Sequence, residues 1–263
     1  MATAFWKGAI NFGMVVIPVK MYVATKKERP TLHYLHDKCH TRAKQVLYCP
    51  KDDEYFTSRE TVRGYQYAKG QYVVVTDEEL EKLPVKTAHT IDVSGFVDPR
   101  EIPPLYYYDC HYLEPEDVAV RPYLLLREAL RKTKRVGIAK VAFQRQEHLC
   151  SLQPMDDILV LNTLHYSYEV RPYKELAPEK RELNPDEMKM AVSLIEEMSK
   201  DFELKKYRDE YRVALEKLIE AKLKDEEFKV EEIPEPEAGG DIMAQLKKSI
   251  EAAQKEKAKA KSK

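Results

Sequence analysis

The chain has 263 residues, 43% of them hydrophobic and 34% charged, with a formal net charge of −1 at neutral pH. That length and apolar content suffice for one large β domain or two smaller units, and no apolar run approaches the roughly 18–20 residues that would span a bilayer. Near-neutrality argues against a surface that is basic throughout, so any grip on a polyanion must come from local patches.

The first residues, Met1 to Lys7, lack a basic stretch followed by an apolar one, so no signal peptide is expected and the default location is the cytoplasm. In that reducing compartment Cys39, Cys49, Cys110 and Cys150, which are too widely spaced for a disulfide-dense scaffold, are expected to remain thiols. The first chemically distinctive segment is His36-Asp37-Lys38-Cys39-His40-Thr41-Arg42, followed by Cys49-Pro50-Lys51-Asp52. It has the form of two metal knuckles with one ligand left in each. A zinc ribbon needs Cys-x-x-Cys twice, and here Arg42 and Asp52 stand where second cysteines would be. Cys39 and Cys49 with His36, His40 or both are the zinc candidates, against a reading as ordinary thiols in a hairpin.

Tyr72-Val73-Val74-Val75 after Gly70 suits a short buried strand, and residues 91–97 suit another. Between them Thr76-Asp77-Glu78-Glu79 is a capping box, with Thr76 at the N-cap and Glu79 at N3. It opens a helix expected to stop at Leu83, before Pro84. Residues 105–113 hold Tyr106, Tyr107, Tyr108 and Tyr112, strong strand formers. A second helix is expected from Tyr123 to about Lys132, with Pro122 at its first position. Residues 136–146 and 158–170 alternate and are rich in β-branched and aromatic side chains. Many short strands punctuated by Pro and Gly predict a barrel or closed sheet.

The last third turns helical. Asn184-Pro185-Asp186-Glu187 combines an N-cap, Pro at N1 and an acid at N3. Met188, Ala191, Val192, Ile195, Met198 and Phe202 then share one face, and Tyr207, Tyr211, Ala214, Leu215, Leu218 and Leu223 mark a further helix. These stripes cover either the chain's own core or a partner subunit. Residues 225–240 read as an acidic linker with Pro and Gly. Asp241 to Ile250 reads as a short amphipathic helix with Ile242, Leu246 and Ile250 in register, and Lys255 to Lys263 as a disordered basic tail.

Charge is segregated by sign. Residues 117–150 hold Arg121, Arg127, Arg131, Lys132, Lys134, Arg135, Lys140 and Arg145 against Asp117, Glu128 and Glu147. The run Arg131-Lys132-Thr133-Lys134-Arg135 either complements a helix C-terminus or faces an anion. No phosphate-binding glycine loop, nucleophile elbow or His-Glu-x-x-His occurs. The acid pairs Asp52-Asp53 and Asp156-Asp157 suit polar turns better than a nuclease's metal, because neighbours on a strand point to opposite faces. No catalytic residue and no cofactor is expected. A metal-dependent DNA enzyme and a zinc-ribbon adaptor that binds only protein are the competing readings.

Several ordered blocks bring a family into view. They are Trp6-Lys7-Gly8-Ala9-Ile10-Asn11-Phe12-Gly13 continuing to Tyr22; Gly64-Tyr65-Gln66-Tyr67 with Gly70 to Leu80; Val136-Gly137-Ile138-Ala139-Lys140-Val141 with Arg145, Glu147 and Leu149; then Leu159, Leu161, Thr163-Leu164 and Glu169-Val170-Arg171; and Phe202, Tyr207, Asp209 and Tyr211. In these blocks, over about residues 5 to 223, the sequence resembles bacterial Ku, the end-binding family of non-homologous end joining. The resemblance implies a mainly β fold with α: a Ku-type β-barrel core with a bridging loop, followed by a C-terminal helical arm. The layout it implies is barrel and DNA-encircling bridge over 1–180, dimerisation arm over 181–224, acidic linker over 225–240, and short helix with basic tail over 241–263. It further implies a homodimeric ring threaded by linear double-stranded DNA ends, recruitment of an ATP-dependent end-joining DNA ligase, a nucleoid-associated cytoplasmic location and no membrane. The segment from Cys39 to Asp53 departs from the simplest members. A ring that accepts any break must hold phosphates, which position a duplex without reading its sequence. The candidate contacts are Lys7, Lys20, Lys38, Arg42, Lys44, Arg131, Lys134, Arg135, Lys140 and Arg145, with the region of Lys140 and Arg145 best supported by the resemblance.

Overall fold

The computed structural model describes residues 3–26, 28, 30–83, 87, 89–226 and 242–261, and divides into two compact units, Met1–Glu28 with His33–Pro172 and Arg29–Leu32 with Tyr173–Lys263. In the first unit, period-two burial builds a closed sheet. Trp6 and Ile10 point inward from Trp6–Phe12 (β1), and Ile17, Val19 and Met21 from Val15–Val23 (β2). Two detached hairpins follow, Leu47–Cys49 (β3) with Glu54–Phe56 (β4), and Arg63–Ala68 (β5) with Gln71–Val75 (β6). A short helix, Asp77–Glu81 (α1), leads to Thr90–Val97 (β7), Tyr107–Pro115 (β8), Val120–Thr133 (α2), Val136–Phe143 (β9), Gln146–Met155 (β10) and Ile158–Leu164 (β11). The barrel closes in the order β1-β2-β8-β11-β10-β9-β7; β1 and β7 run parallel and the other neighbours antiparallel. Its interior is filled by fully buried side chains including Ile10, Met21, Ile91, Leu113, Leu152 and Leu161, each worth roughly 1.5–3 kcal/mol of apolar burial.

Helix α2 stoppers one end through Tyr123, Leu126 and Leu130, all buried. The Tyr123 hydroxyl donates to the Leu113 carbonyl and accepts from the Leu159 N–H, both at 2.6 Å, so a buried phenol is satisfied while it ties three elements together. Burial raises its pKa. The helix starts at Val120, so Pro122 sits at its third position and not its first. That position still lacks an intrahelical N–H partner, which is why proline is tolerated there. The capping box at Thr76 is present, with Glu79 accepting from the Thr76 N–H at 2.9 Å, but α1 ends at Glu81. Residues 136–146 do not form one strand. Chain reversal at Gln144 and Arg145, both with left-handed backbone (φ 53 and 65), separates β9 from β10. The run at 158–170 ends at Leu164. Strand β10 escapes a pattern search because His148, Ser151, Gln153 and Pro154 interrupt its apolar positions.

In the second unit Asn184 caps Pro185–Met198 (α3) by accepting from the Asp186 N–H at 2.9 Å. Asp209 caps Glu210–Leu223 (α4) in the same way at Arg212, leaving Tyr207 outside the helix. The third helix, Ile242–Lys261 (α5), packs along α3, with Lys257 paired to Glu197 at 3.1 Å. The expected disordered tail is therefore corrected: a helix rich in Ala, Lys and Glu continues past Ile250 to Lys261. Residues 227–240 of the expected linker, Asp241, and the last two residues lie outside the described residues. Along α3, Met190, Ala191 and Leu194 are half-buried, whereas Met188, Val192, Ile195 and Met198 stay exposed.

Candidate nucleic-acid interface

The connection from β2 to β7, residues 24–89, leaves one barrel neighbour of β1 and returns as the other. Its hairpin β5–β6 is open on both faces: Tyr65, Tyr67 and Tyr72 are 69%, 61% and 61% exposed. Tyr72 to Val75 thus form a strand as expected, but not a buried one. A lone two-stranded ribbon is marginal in water, and several large apolar side chains on it call for a surface to meet.

The return of this bridge is fastened to the barrel. The Ala9 N–H donates to the His89 carbonyl at 3.0 Å and the Ala142 N–H to the Thr87 carbonyl at 2.9 Å. Gly8 is required at the crossing, because a Cβ there would lie 2.3 Å from the His89 oxygen. Two carboxylates add polar ties. Glu147 accepts from the buried Thr87 hydroxyl at 2.8 Å and from Lys140 at 3.0 Å. Asp77, at the start of α1, takes both Arg63 of β5 and Arg145 of the β9–β10 turn. Lys140, then Thr87, holds the Glu147 carboxyl below its ordinary pKa, and Glu147 holds the Lys140 ammonium above its own.

The expected cations fall into three groups. Lys7 and Lys20 lie directly opposite each other on β1 and β2, alternating with buried Trp6, Val19 and Met21, so both point outward. Like charges in that register repel, and on its other side Lys20 stands opposite Glu114 of β8, whose carboxylate also accepts from the Tyr22 hydroxyl. Lys140 also points outward, between buried Ala139 and Val141 on β9, two strands from β1. Arg145 stands in the β9–β10 turn that follows, paired with Asp77. Lys38, Arg42 and Lys44 lie exposed in the bridge, where Leu35 and Arg42 pair and Lys38 occupies the intervening turn. Arg131, Lys134 and Arg135 stand at the α2 end, separated from Arg145 by the full length of β9, about 25 Å of strand. The ten residues therefore do not form one patch.

Their partners differ as well. Arg131 donates to the Asp156 carbonyl and pairs with Glu128 at 3.6 Å, and Arg135 approaches Glu101 at 3.8 Å. Of these three contacts, that to the Asp156 carbonyl ties α2 to the β10–β11 turn, whereas the pair with Glu128 lies within α2. Lys7, Lys20, Lys38, Arg42, Lys44 and Lys134 have no acidic partner within salt-bridge distance among the described residues. Sequence reasoning missed Arg63 and its partner Asp77. Asp77 was legible only as part of a capping box, since its second arginine lies 68 positions along the chain.

The zinc candidates do not assemble. His36 Nδ1 lies 3.2 Å from Cys39 Sγ, and the Cys49 thiol donates to Asp52 at 3.1 Å, each within its own knuckle. His40 serves the first turn through a left-handed backbone (φ 51). Among the described residues no three His, Cys, Asp or Glu side chains converge on one point, so the four-ligand alternative weighed for Cys39, Cys49, His36 and His40 does not form among them. Hydrogen bonds from Thr41 lower the Cys39 pKa, whereas burial raises that of Cys150. The acid pairs are turn residues: Asp53 accepts from the Tyr48 hydroxyl at 2.7 Å, and the Asp157 carbonyl accepts from Arg127 at 2.5 Å.

A closed seven-stranded barrel whose β2-to-β7 connection is a long, exposed and cation-bearing bridge defines a barrel-and-bridge protein. Residues 11–190 match the family model for Ku, described as the Ku70/Ku80 beta-barrel domain, and the chain belongs to that family. It is 37% identical to the non-homologous end joining protein Ku of Desulfitobacterium hafniense over 246 residues, covering 93% of this chain and 86% of that one. It is 38% identical to the protein of the same name from Archaeoglobus fulgidus over 251 residues, 95% and 98% of the two chains. To that of Bacillus subtilis it is 36% identical over 253 residues, 94% and 81%.

Proposed function

We propose that two copies of this chain close into a ring that slides over a free end of double-stranded DNA in non-homologous end joining, without regard to sequence. The observation that carries this reading is the bridge: exposed hairpins and unpaired cations leave a rigid barrel on one side of β1 and rejoin it on the other. Phosphate contacts from Lys7, Lys20, Lys38, Arg42, Lys44, Lys134, Lys140 and Arg145 supply affinity, each contact steepening the salt dependence by about 0.9 in log–log slope. Dimerisation is supported by the exposed stripe Met188, Val192, Ile195 and Met198 on α3, with Phe202 beyond it, an apolar face suited to a partner subunit. The chain itself catalyses nothing, so joining falls to a recruited ATP-dependent DNA ligase. The polar side of α5 is the surface offered to it, because Leu246 and Ile250 are half-buried where α5 packs along α3. No helix among the described residues is long and apolar enough to cross a membrane, and work on chromosomal breaks places the protein in the cytoplasm at the nucleoid.

Gel shifts on a linear duplex, the same sequence as a covalently closed circle, and single strands test the reading. Binding of the linear duplex alone is expected. Equal shifts of linear and closed forms contradict it.

A further inference from the structure

Arg63 and Arg145 do not have an acid each. Both donate through a terminal guanidinium nitrogen to the same oxygen of Asp77, Oδ1, at 2.5 and 3.0 Å. The cluster carries one surplus positive charge, and each planar guanidinium retains donors that this single oxygen cannot take. All three side chains are about half exposed, at 57%, 48% and 63% for Arg63, Arg145 and Asp77. An exposed, screened carboxylate is a weak tenant. A phosphate presents several oxygens in the geometry that guanidinium forks match.

The scaffold around the cluster is informative. Arg145 sits in a two-residue β-hairpin turn with Gln144, and both residues adopt left-handed backbone, φ 65 and 53. Asn-Gly makes such a turn readily, and a Gln-Arg pair does not. The disfavoured pair places a guanidinium at the tip, where it reaches the bridge. Asp77 and Arg63 belong to the bridge and Arg145 to the barrel, so the shared carboxylate spans the two.

We propose that Arg63 and Arg145 form a two-arginine phosphate grip for the DNA backbone, and that Asp77 occupies it in the free protein as a stand-in anion which a DNA phosphate displaces. This rests on the DNA-binding reading above and adds to it a residue, Arg63, and a competitor, Asp77. Displacement moves the carboxylate from the guanidinium groups to solvent while the phosphate takes both. Affinity is therefore set by competition between two anions for one pair of cations. It also passes the bridge's tie at Asp77 from a side chain to the bound duplex.

The test is a set of salt titrations of binding to one linear duplex, with a closed circle of the same sequence alongside. Asp77→Asn removes the competitor and is expected to tighten binding by about 3–10-fold at fixed salt. Arg63→Gln and Arg145→Gln are each expected to flatten the salt slope by about 0.9. The gain from Asp77→Asn is expected to vanish when Arg63→Gln and Arg145→Gln are both present. Unchanged or weaker binding by Asp77→Asn, or a gain that survives loss of both arginines, overturns the proposal. Circular dichroism of each variant separates these outcomes from misfolding. If wild-type protein binds closed circles as well as linear DNA, the threading reading fails, while the Asp77 competition is still decided by its own titrations.

Discussion

The barrel and the bridge are built from similar residues and are opposites in physical character. In the barrel, Val, Ile, Leu and Met alternate with polar positions and disappear into a sealed core. In the β5–β6 hairpin, Tyr65, Tyr72, Val73 and Val74 point to both faces of the ribbon and remain in solvent. The difference teaches that strand propensity and burial are separate properties. A residue such as Val74 fits a pleated backbone wherever it lies, and only a second layer decides whether it is buried. The barrel makes that layer from itself by closing; the bridge needs one from outside, and a duplex or the second subunit is the layer the proposed function supplies.

The contrast is sharpest in stability. Leu152→Ala in the barrel is expected to cost about 3–4 kcal/mol, the usual range for a fully buried leucine. Tyr65→Ala in the hairpin is expected to cost less than about 1 kcal/mol. Urea denaturation of both variants measures this, and equal losses would mean that the hairpin is part of the core. Hydrogen exchange gives the next largest effect. Amides of β5 and β6 are expected to exchange quickly in the free protein and to slow by roughly tenfold or more on addition of a linear duplex, with β9 to β11 little changed.

Acid acts on the barrel. His111 and His148 lie against Phe143 with ring centroids 5.5 and 4.1 Å away, beside Phe5. One nitrogen of each, His111 Nδ1 and His148 Nε2, is buried with no hydrogen-bond partner among the described residues. Burial lowers both pKa values from 6.5, despite the opposing pull of Asp109 on both rings and of Glu169 on His148. The unfolded chain therefore takes up protons before the folded one does. Stability is full above about pH 6.5 and is lost as pH falls from there toward the folded pKa values. Thermal melts from pH 7.5 to 5 are expected to show this loss, and His111→Phe to reduce it.

The β9–β10 turn offers a change of opposite sign in the two properties. Replacing Gln144-Arg145 by Asn-Gly is expected to stabilise the fold by about 0.5–1 kcal/mol while weakening DNA binding, because the guanidinium is gone. Smaller still, Glu147→Gln should leave Lys140 unneutralised and tighten binding about two- to threefold, read from gel shifts at fixed salt. Weaker binding would show that Glu147 positions Lys140 for its phosphate.

What could be read from the chain follows the same division. The barrel's alternation, the Thr76 capping box and the Asn184 cap were legible because each depends on residues within a few positions. Strand β10 was hidden by His148, Ser151 and Gln153, whose placement is set by β9 and β11 across the sheet. The pairings that matter most at the site were invisible for the same reason. Nothing local to Asp77 announces Arg145, and nothing in Lys140 shows that Glu147, seven residues on and across a turn, will hold its ammonium group. The two cysteine knuckles were legible as motifs, but whether they converge is a property of the bridge's path.

The most direct measurement of the central claim is topological. Protein is loaded on a short linear duplex, the ends are ligated into a circle, and excess linear competitor and high salt are added. A ring around the duplex has no exit, so the protein is expected to stay on the circle and to leave only after a restriction cut. Rapid loss from the uncut circle, at the same rate as from linear DNA, would contradict encirclement.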